Sequence, residues 1–300
     1  MTVATRALLR VLGVSLAVAS LPALALAGPP AAPAAPPAER PASVQSFERL
    51  PGFAAVVMSH IAASIGLDVL PAAAGFTLEA GVFVTLGLDR VQVFDRDVAT
   101  LHSGRSTDTH GAPECAHLCP VSLFDAFQAE WLALAIESSE RVVEIPNNVV
   151  IAAHGQLPAE TLLAAAYAAA SARPLRPPSL ALVLGSSGRG LQGQPFMLLP
   201  PQGLELGQGS AALGLQLQFT RGRYLLRAED PGVVRAVRTE SLAALRAALR
   251  EIKKRHLGKQ AIIVTPGEGV NVGDLVEVMV AVRADFPRIV LSAGQDVILP

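Results

Sequence analysis

The pattern of apolar and polar residues is clearest over 239–293, where it predicts a helix, a strand, a second helix and a second strand. Ala261–Thr265 is a short, continuous, β-branched run, which is typical of a strand covered by helices. Gly258 is expected to end the first helix, while Asn271 caps the second and Asp274 lies near its positive end. The second strand is predicted at Arg288–Ser292. Each helix has an apolar stripe expected to face the core: Leu242, Leu245, Leu249 and Ile252 in the first, and Leu275, Val278, Met279 and Val282 in the second.

The preceding part of the chain carries the same kinds of signal. Val82–Leu86 and Val91–Phe94 flank a short turn and predict a β-hairpin. A polar loop follows over 100–120, after which Ser122 is expected to cap a helix. The other predicted features are a helix stripe of Phe124, Phe127, Trp131 and Leu134, a strand at Val149–Ala153, an alanine-rich helix opened by Pro158, a strand at Leu180–Leu184, and a hairpin of Leu215–Phe219 and Arg223–Arg227.

These elements occur twice in the same order, which predicts a tandem duplication of one ββαβαβ unit. The stripe that begins at Phe124 returns at Leu242, and the stripe of the second helix returns with an offset of 112 positions. We expect one unit at 53–186 and another at 195–300, joined by the glycine-rich link Gly185–Pro195. In each unit two helices would pack on one face of a small mixed sheet, so the predicted fold class is α+β.

The N-terminal region predicts export. Residues 1–27 have the form of a secretory signal peptide, with Arg6 and Arg10 before an apolar core and an Ala-Leu-Ala site before Gly28. The alternative is an uncleaved membrane anchor, because the apolar run is nearly long enough to span a bilayer. Residues 28–46 are rich in Pro and Ala, so they predict an extended linker without a core of its own.

Composition narrows the function classes. The formal net charge is −1 and the aromatic content is 4%, so neither electrostatics nor base stacking favours nucleic acid as a partner. No nucleophile-elbow or paired-carboxylate pattern is present, and Gly185–Gly193 lacks the Gly-Lys-Ser/Thr ending of a phosphate loop. We therefore expect neither catalysis nor a bound cofactor.

The polar loop contains the two cysteines of the chain, Cys115 and Cys119, together with His110 and His117. In an exported protein two nearby cysteines most often form a disulfide. Imidazole and thiolate ligands also suit zinc or copper, so a metal site and a redox pair stay open as alternatives.

A family resemblance rests on AIIVTPGEGVNVGDLVEVMVAVR (261–283), on the charged helix before it and on the PRIVLS strand after it. This segment resembles the C-terminal part of the periplasmic domain of ExbD/TolR biopolymer transport proteins, most specifically at Asp274–Arg283. The resemblance implies a periplasmic domain, membrane-anchored if the leader is retained, that dimerises and contacts TonB/TolA-like proteins, an ExbB/TolQ-like complex or peptidoglycan. Family members carry an essential aspartate in their membrane helix. Residues 7–27 contain no Asp or Glu, so direct proton coupling is not expected here.

Together these features predict a non-catalytic periplasmic binding or scaffold protein that acts with an envelope transport or energy-transduction system. The C-terminal end is predicted to form a short edge strand, which would pair with a second copy or with an extended peptide. The residues expected to contact a partner are Asp274, Val278, Val297, Ile298 and Leu299. The alternative, from a different class, is an exported metal-binding or redox protein that uses the loop of Cys115, Cys119, His110 and His117.

Overall fold

The computed structural model describes nine stretches of the chain: 53–94, 96–108, 110–141, 147–173, 177–185, 191–205, 214–228, 234–295 and 297–298. The predicted signal peptide, 1–27, and the predicted linker, 28–46, lie outside the described residues. The described residues belong to one compact unit.

The described residues form five helices and fifteen strands, which confirms the α+β class. The helices are α1 (Phe53–Ser64), α2 (Val121–Arg141), α3 (Ala159–Ser171), α4 (Leu242–Arg255) and α5 (Val272–Arg283). The strands are β1 (Phe76–Thr77), β2 (Val82–Leu86), β3 (Arg90–Val93), β4 (Arg96–His102), β5 (Arg105–Ser106), β6 (Asn148–Ala153), β7 (Ser179–Leu184), β8 (Gln192–Leu198), β9 (Leu204–Glu205), β10 (Gln216–Thr220), β11 (Arg223–Arg227), β12 (Val237–Thr239), β13 (Ala261–Pro266), β14 (Arg288–Leu291) and β15 (Val297–Ile298).

Thirteen of the described strands belong to a single mixed sheet with the order β12-β11-β10-β13-β14-β8-β7-β6-β2-β3-β4-β5, and β1 pairs with β8 beside this path. The N-terminal half has the order β4-β3-β2-β6-β7 and the C-terminal half the order β12-β11-β10-β13-β14. In both halves the first three strands are antiparallel and the last three are parallel. The two halves therefore share strand order, strand sense and the positions of their helices along the chain.

Strand β8 joins the two halves. It pairs antiparallel with β7 and parallel with β14, so the strands of one half run opposite to their counterparts in the other. The sequence predicted a flexible link at Gly185–Pro195, and this was wrong for its second part, because β8 begins at Gln192 in the centre of the sheet. Residues 186–190 of that link lie outside the described residues. A Gly-Gln-rich stretch without β-branched residues can still be a central strand when both neighbours supply its hydrogen bonds.

Helices α2 to α5 share the main core with alternate residues of the sheet, among them Val84, Ile151, Leu217 and Val264. On the other face of the N-terminal half, α1 packs through Val57 and Ile61 on a smaller cluster. That cluster includes Leu70, Phe83, Val150, Ala152 and Val183. The sheet is thus covered by helices on one face throughout, and on the other face in its N-terminal half.

Several local predictions need correction. The structural repeat has an offset of 113 rather than 112, because β6 and α3 begin at Asn148 and Ala159 while β13 and α5 begin at Ala261 and Val272. In the strands this offset pairs residues that face the same core, such as Val149 with Ile262 and Ile151 with Val264. The predicted loop at 100–120 begins with the end of β4 and the short strand β5.

Two predicted caps are also wrong. Ser122 lies inside the first turn of α2, and its N–H donates instead to the carboxylate of Asp108 at 3.0 Å. Helix α4 ends at Arg255 with His256 as its cap, and Gly258 does not adopt the left-handed conformation of a C′ glycine. No helix within the described stretches is long and apolar enough to cross a bilayer.

Candidate functional site

A groove of about 720 Å³ runs beside α5, the helix that carries the most specific part of the family resemblance. Its walls are α5, the beginning of α4, and the extended segment that follows α1. The lining residues are Pro71, Ala72, Ala73, Ala74, Gly155, Leu242, Arg246, Asn271, Gly273, Asp274, Val276, Glu277 and Val280.

The start of α5 is fixed by its own cap and by the other half of the molecule. The Asn271 side chain accepts from the Asp274 N–H at 2.8 Å, and the Asp274 carboxylate accepts from the Asn271 N–H at 3.3 Å, which forms a capping box. The Gly273 N–H donates to the Gly155 carbonyl at 2.8 Å, and a Cβ at Gly273 would lie 3.3 Å from that oxygen. Glycine therefore permits the close approach that sets the wall of the groove.

Asp274 is held by groups of the protein itself. Its Oδ2 lies 3.0 Å from Nε of Arg221, and its side chain is 34% exposed. Because the carboxylate also accepts the Asn271 N–H, it helps both to begin α5 and to anchor the hairpin that carries Arg221. A partner at this position would meet a carboxylate that is already oriented, with Glu277 exposed one turn further along.

Val278 was expected to contact a partner, but it is 2% exposed and packs in the main core. Val282 and Met279, from the same stripe, are 0% exposed. Besides the buried Val276, the side chains that α5 contributes to the groove are Asp274, Glu277 and the half-buried Val280. Val280 is thus the apolar residue of α5 that a partner in the groove would meet.

The C-terminal residues Val297 and Ile298 form β15, which pairs in parallel with β9 in a separate two-stranded sheet. One side of this strand is therefore already paired within the chain, at Leu204 and Glu205. Leu299 lies outside the described residues. Within the described residues, the ends of the large sheet are β5 and β12 rather than the C-terminal segment.

The sulfur atoms of Cys115 and Cys119 are bonded as a disulfide, and both residues are buried against the main core. Nδ1 of His117 lies 2.8 Å from the Gly111 carbonyl oxygen, and Nδ1 of His110 lies 3.6 Å from the Asp108 carboxylate. Nowhere in the described stretches do three or more His, Cys, Asp or Glu residues gather in a way that could hold a metal ion. The structure thus does not bring the four residues of the predicted alternative together as ligands.

Gly111 makes this loop possible, because a Cβ there would lie 2.6 Å from Cβ of His117. The chain reverses between the cysteines with Ala116 and His117 at positive φ, and the Ala112 N–H donates to the Cys119 carbonyl at 2.8 Å. The loop therefore closes on itself and packs its disulfide toward α3.

A second cavity, of about 690 Å³, was not predicted from the sequence. It lies on the face of the C-terminal half of the sheet opposite α4 and α5, and Arg223, Leu225 and Arg238 contribute to it. The available signal was the alternation Arg-Tyr-Leu-Leu-Arg in β11, which gives one face of that strand two arginines.

Comparisons with known proteins were made for the whole chain. No protein-family model matches it, and neither the curated proteins nor the solved structures include a match.

Proposed function

We propose that this chain is a non-catalytic binding or scaffold protein of the cell envelope, built from two tandem units of the ExbD/TolR type. The proposal rests on the likeness of Asp274–Arg283 to that family and on the export signal predicted at the N-terminus. It would act in the periplasm, or facing the periplasm from the inner membrane if residues 1–27 are retained, together with an envelope transport or energy-transduction system.

The observation that carries the proposal is the repeated strand order of the two halves. Unrelated segments have little reason to share five strands in one order, with the same senses and with helices inserted at the same points. The duplicated arrangement supports an ancestral βββαβαβ unit, one strand longer than the predicted ββαβαβ unit because β4 and β12 were not predicted, and the family resemblance lies in the C-terminal copy of that unit, at α5 and β14.

The proposed contact surface is the groove beside α5. It combines an apolar wall, formed by Ala72, Ala73 and Val280, with the charged side chains of Arg246 and Glu277. Such a mixture suits a protein partner, since interfaces join an apolar centre to a polar rim. The proposed partners are TonB/TolA-like proteins or an ExbB/TolQ-like complex, with peptidoglycan as the other envelope component.

Self-association through an edge strand belongs to the same proposal. Strand β15 uses one side to pair with β9, so its other side is the one proposed to receive a strand from a second chain. Replacement of Ile298 by Pro removes one backbone donor of β15, and weaker self-association in sedimentation experiments is the expected result.

The groove is tested by affinity capture of partners from cell envelopes with the wild-type chain and with Val280→Arg. A long charged side chain at the half-buried Val280 would place a charge in the apolar wall and obstruct the groove. Recovery of envelope motor components and cell-wall fragments is therefore expected to fall about tenfold. Leu257→Arg is the matched control, because Leu257 is 75% exposed and lies beyond the end of α4. Equal recovery by all three proteins would show that the groove is not the contact surface.

A further inference from the structure

One face of the C-terminal half of the sheet is not covered by any described helix, and it differs in chemistry from the corresponding face of the N-terminal half. In the N-terminal half this face presents Phe83, Val150, Ala152 and Val183, and α1 covers it. The register of the strands places Gln216, Ile263 and Thr265 at the positions that correspond to Phe83, Val150 and Ala152. Gln216 and Thr265 thus place polar side chains where the N-terminal half has apolar ones, while Ile263 remains apolar and buried, so this face is less suited to a second apolar helix.

Arginine side chains surround Leu225 on this uncovered face. Arg223 and Arg227 lie two residues before and after Leu225 on β11, and Arg238 lies directly opposite Leu225 on β12. Diagonal neighbours in an antiparallel pair are about 7–8 Å apart, so the three guanidinium groups can reach one point above Leu225. Gln218 faces Leu225 from β10 and closes the fourth side.

The charges of this arginine group are not neutralised by the rest of the described chain. No carboxylate in the described residues lies within 4.0 Å of Arg223, Arg227 or Arg238, and Arg227 Nε donates instead to Oε1 of Gln216 at 3.2 Å. Glu240 is the acidic residue that lines the cavity beside Arg223 and Arg238. Like charges on facing strands repel each other, so an arrangement of this kind is stabilised when an anion binds between them.

We propose that the 690 Å³ cavity over β10, β11 and β12 binds a small free ligand through an oxyanion, either a carboxylate or a phosphate group. Arg238 and Arg223 bind the oxyanion, since a planar guanidinium matches the oxygens of both groups. Gln218 and Thr265 supply hydrogen bonds to the uncharged part of the ligand, which rests on Leu225. This site lies on the opposite face of the sheet from the groove beside α5, and it does not depend on the proposed envelope partner.

The test is a calorimetric titration of the purified chain at low ionic strength, once with inorganic phosphate and once with citrate. Arg238→Gln is expected to weaken binding of the preferred ion by about tenfold or more, because it removes a charged donor from the site. Glu240→Gln is expected to strengthen binding, since it removes the carboxylate beside the oxyanion. Arg250→Gln makes the same change as the first variant on the exposed face of α4 and is expected to bind as the wild type does.

The two titrations separate the sources of the oxyanion, because binding of citrate alone indicates a carboxylate ligand and binding of phosphate alone a phosphate ligand. Unfolding midpoints of all variants verify that each is folded. The proposal is overturned if neither ion binds up to about 10 mM. It is equally overturned if Arg238→Gln binds like the wild type, if Glu240→Gln binds more weakly, or if only vesicles of anionic phospholipid bind.

Discussion

The phenol of Tyr167 links three separate parts of the chain, and its removal is the sharpest stability test that the structure offers. Tyr167 lies in α3 and is 1% exposed. Its hydroxyl donates to the Leu199 carbonyl at 2.8 Å and accepts from Nε2 of Gln295 at 2.6 Å. Leu199 follows the central strand β8, and Gln295 follows β14, so this hydroxyl holds the C-terminal part of the chain against a helix of the N-terminal half.

Tyr167→Phe keeps the ring and deletes only the hydroxyl. The Leu199 carbonyl, in a residue that is 0% exposed, then loses a donor that water cannot replace. Such an unsatisfied buried group costs about 1–3 kcal/mol, and we expect a loss of this size in the free energy of unfolding. The Gln295 amide is half-buried, and its Oε1 still accepts from the Ser292 hydroxyl and the Ala293 N–H, so we expect it to add little to this loss.

The pH dependence gives an independent check on the same residue. Burial raises the pKa of Tyr167 to about 12 from its usual value of 10. A group whose pKa is raised on folding contributes its stability below the unfolded pKa and loses it as the pH rises through the folded pKa. The wild type therefore loses up to about 2.7 kcal/mol between pH 10 and pH 12 that Tyr167→Phe does not lose.

The measurement is urea unfolding of both proteins at pH 8, 10 and 11. The wild type is expected to have the higher free energy of unfolding at pH 8, and the difference between the two proteins should become smaller as the pH rises. Tyr224→Phe is the matched control: Tyr224 is only half-buried, and its hydroxyl has no hydrogen-bond partner among the described residues, so we expect a change within about 0.5 kcal/mol at pH 8. A Tyr167→Phe protein as stable as the wild type at pH 8, or a gap that stays constant with pH, would refute the reasoning.

Three further predictions concern the ends of helices and the disulfide. Asn271→Ala should lower the free energy of unfolding by about 1 kcal/mol, whereas Asn271→Ser should retain most of it; equal urea midpoints for both variants would contradict the capping box. The N–H groups of Ser122 and His110 hold the pKa of Asp108 below its usual value, so its stabilising effect is lost as the pH falls through that lowered pKa. Acid unfolding of Asp108→Asn should therefore be less steep than that of the wild type, and identical acid profiles would count against this role. Alkylation without reductant should label neither cysteine, and Cys115→Ser with Cys119→Ser should cost about 2 kcal/mol for so short a loop, as measured by urea unfolding.

Much of the local structure followed from sequence patterns. The hairpin of β10 and β11, the stripes of α4 and α5 and the cap at Asn271 are where periodicity and capping chemistry predict them. These are features that neighbouring residues determine, because hydrophobic spacing and side-chain hydrogen bonds act within a few positions. The predictions failed where a distant group supplied the interaction, as when Asp108 rather than Ser122 accepted the N–H at the start of α2.

The candidate sites depended more strongly on tertiary contacts. Val278 belongs to an apolar stripe, and the spacing of that stripe does not show whether Val278 is buried in the core or contacts a partner. Because α5 packs on the sheet, Val278 is buried in the main core. Val297 and Ile298 have the composition of an edge strand, but β9 lies far away in sequence and occupies one side of them. The arginine group around Leu225 is visible only once the register of β10, β11 and β12 is known.

The hydrophobic pattern along the chain thus predicted four of the five described helices, α2 to α5, and most of the described strands, because these follow from side chains that act on near neighbours; α1 was not predicted. Only the tertiary structure decided that the glycine- and glutamine-rich segment at Gln192–Leu198 is the strand that joins both halves into one sheet. It also decided which face α1 covers and which face stays open with its arginines. The physical reason is that strand pairing and burial depend on residues far apart in sequence, and no local pattern records which of them will meet.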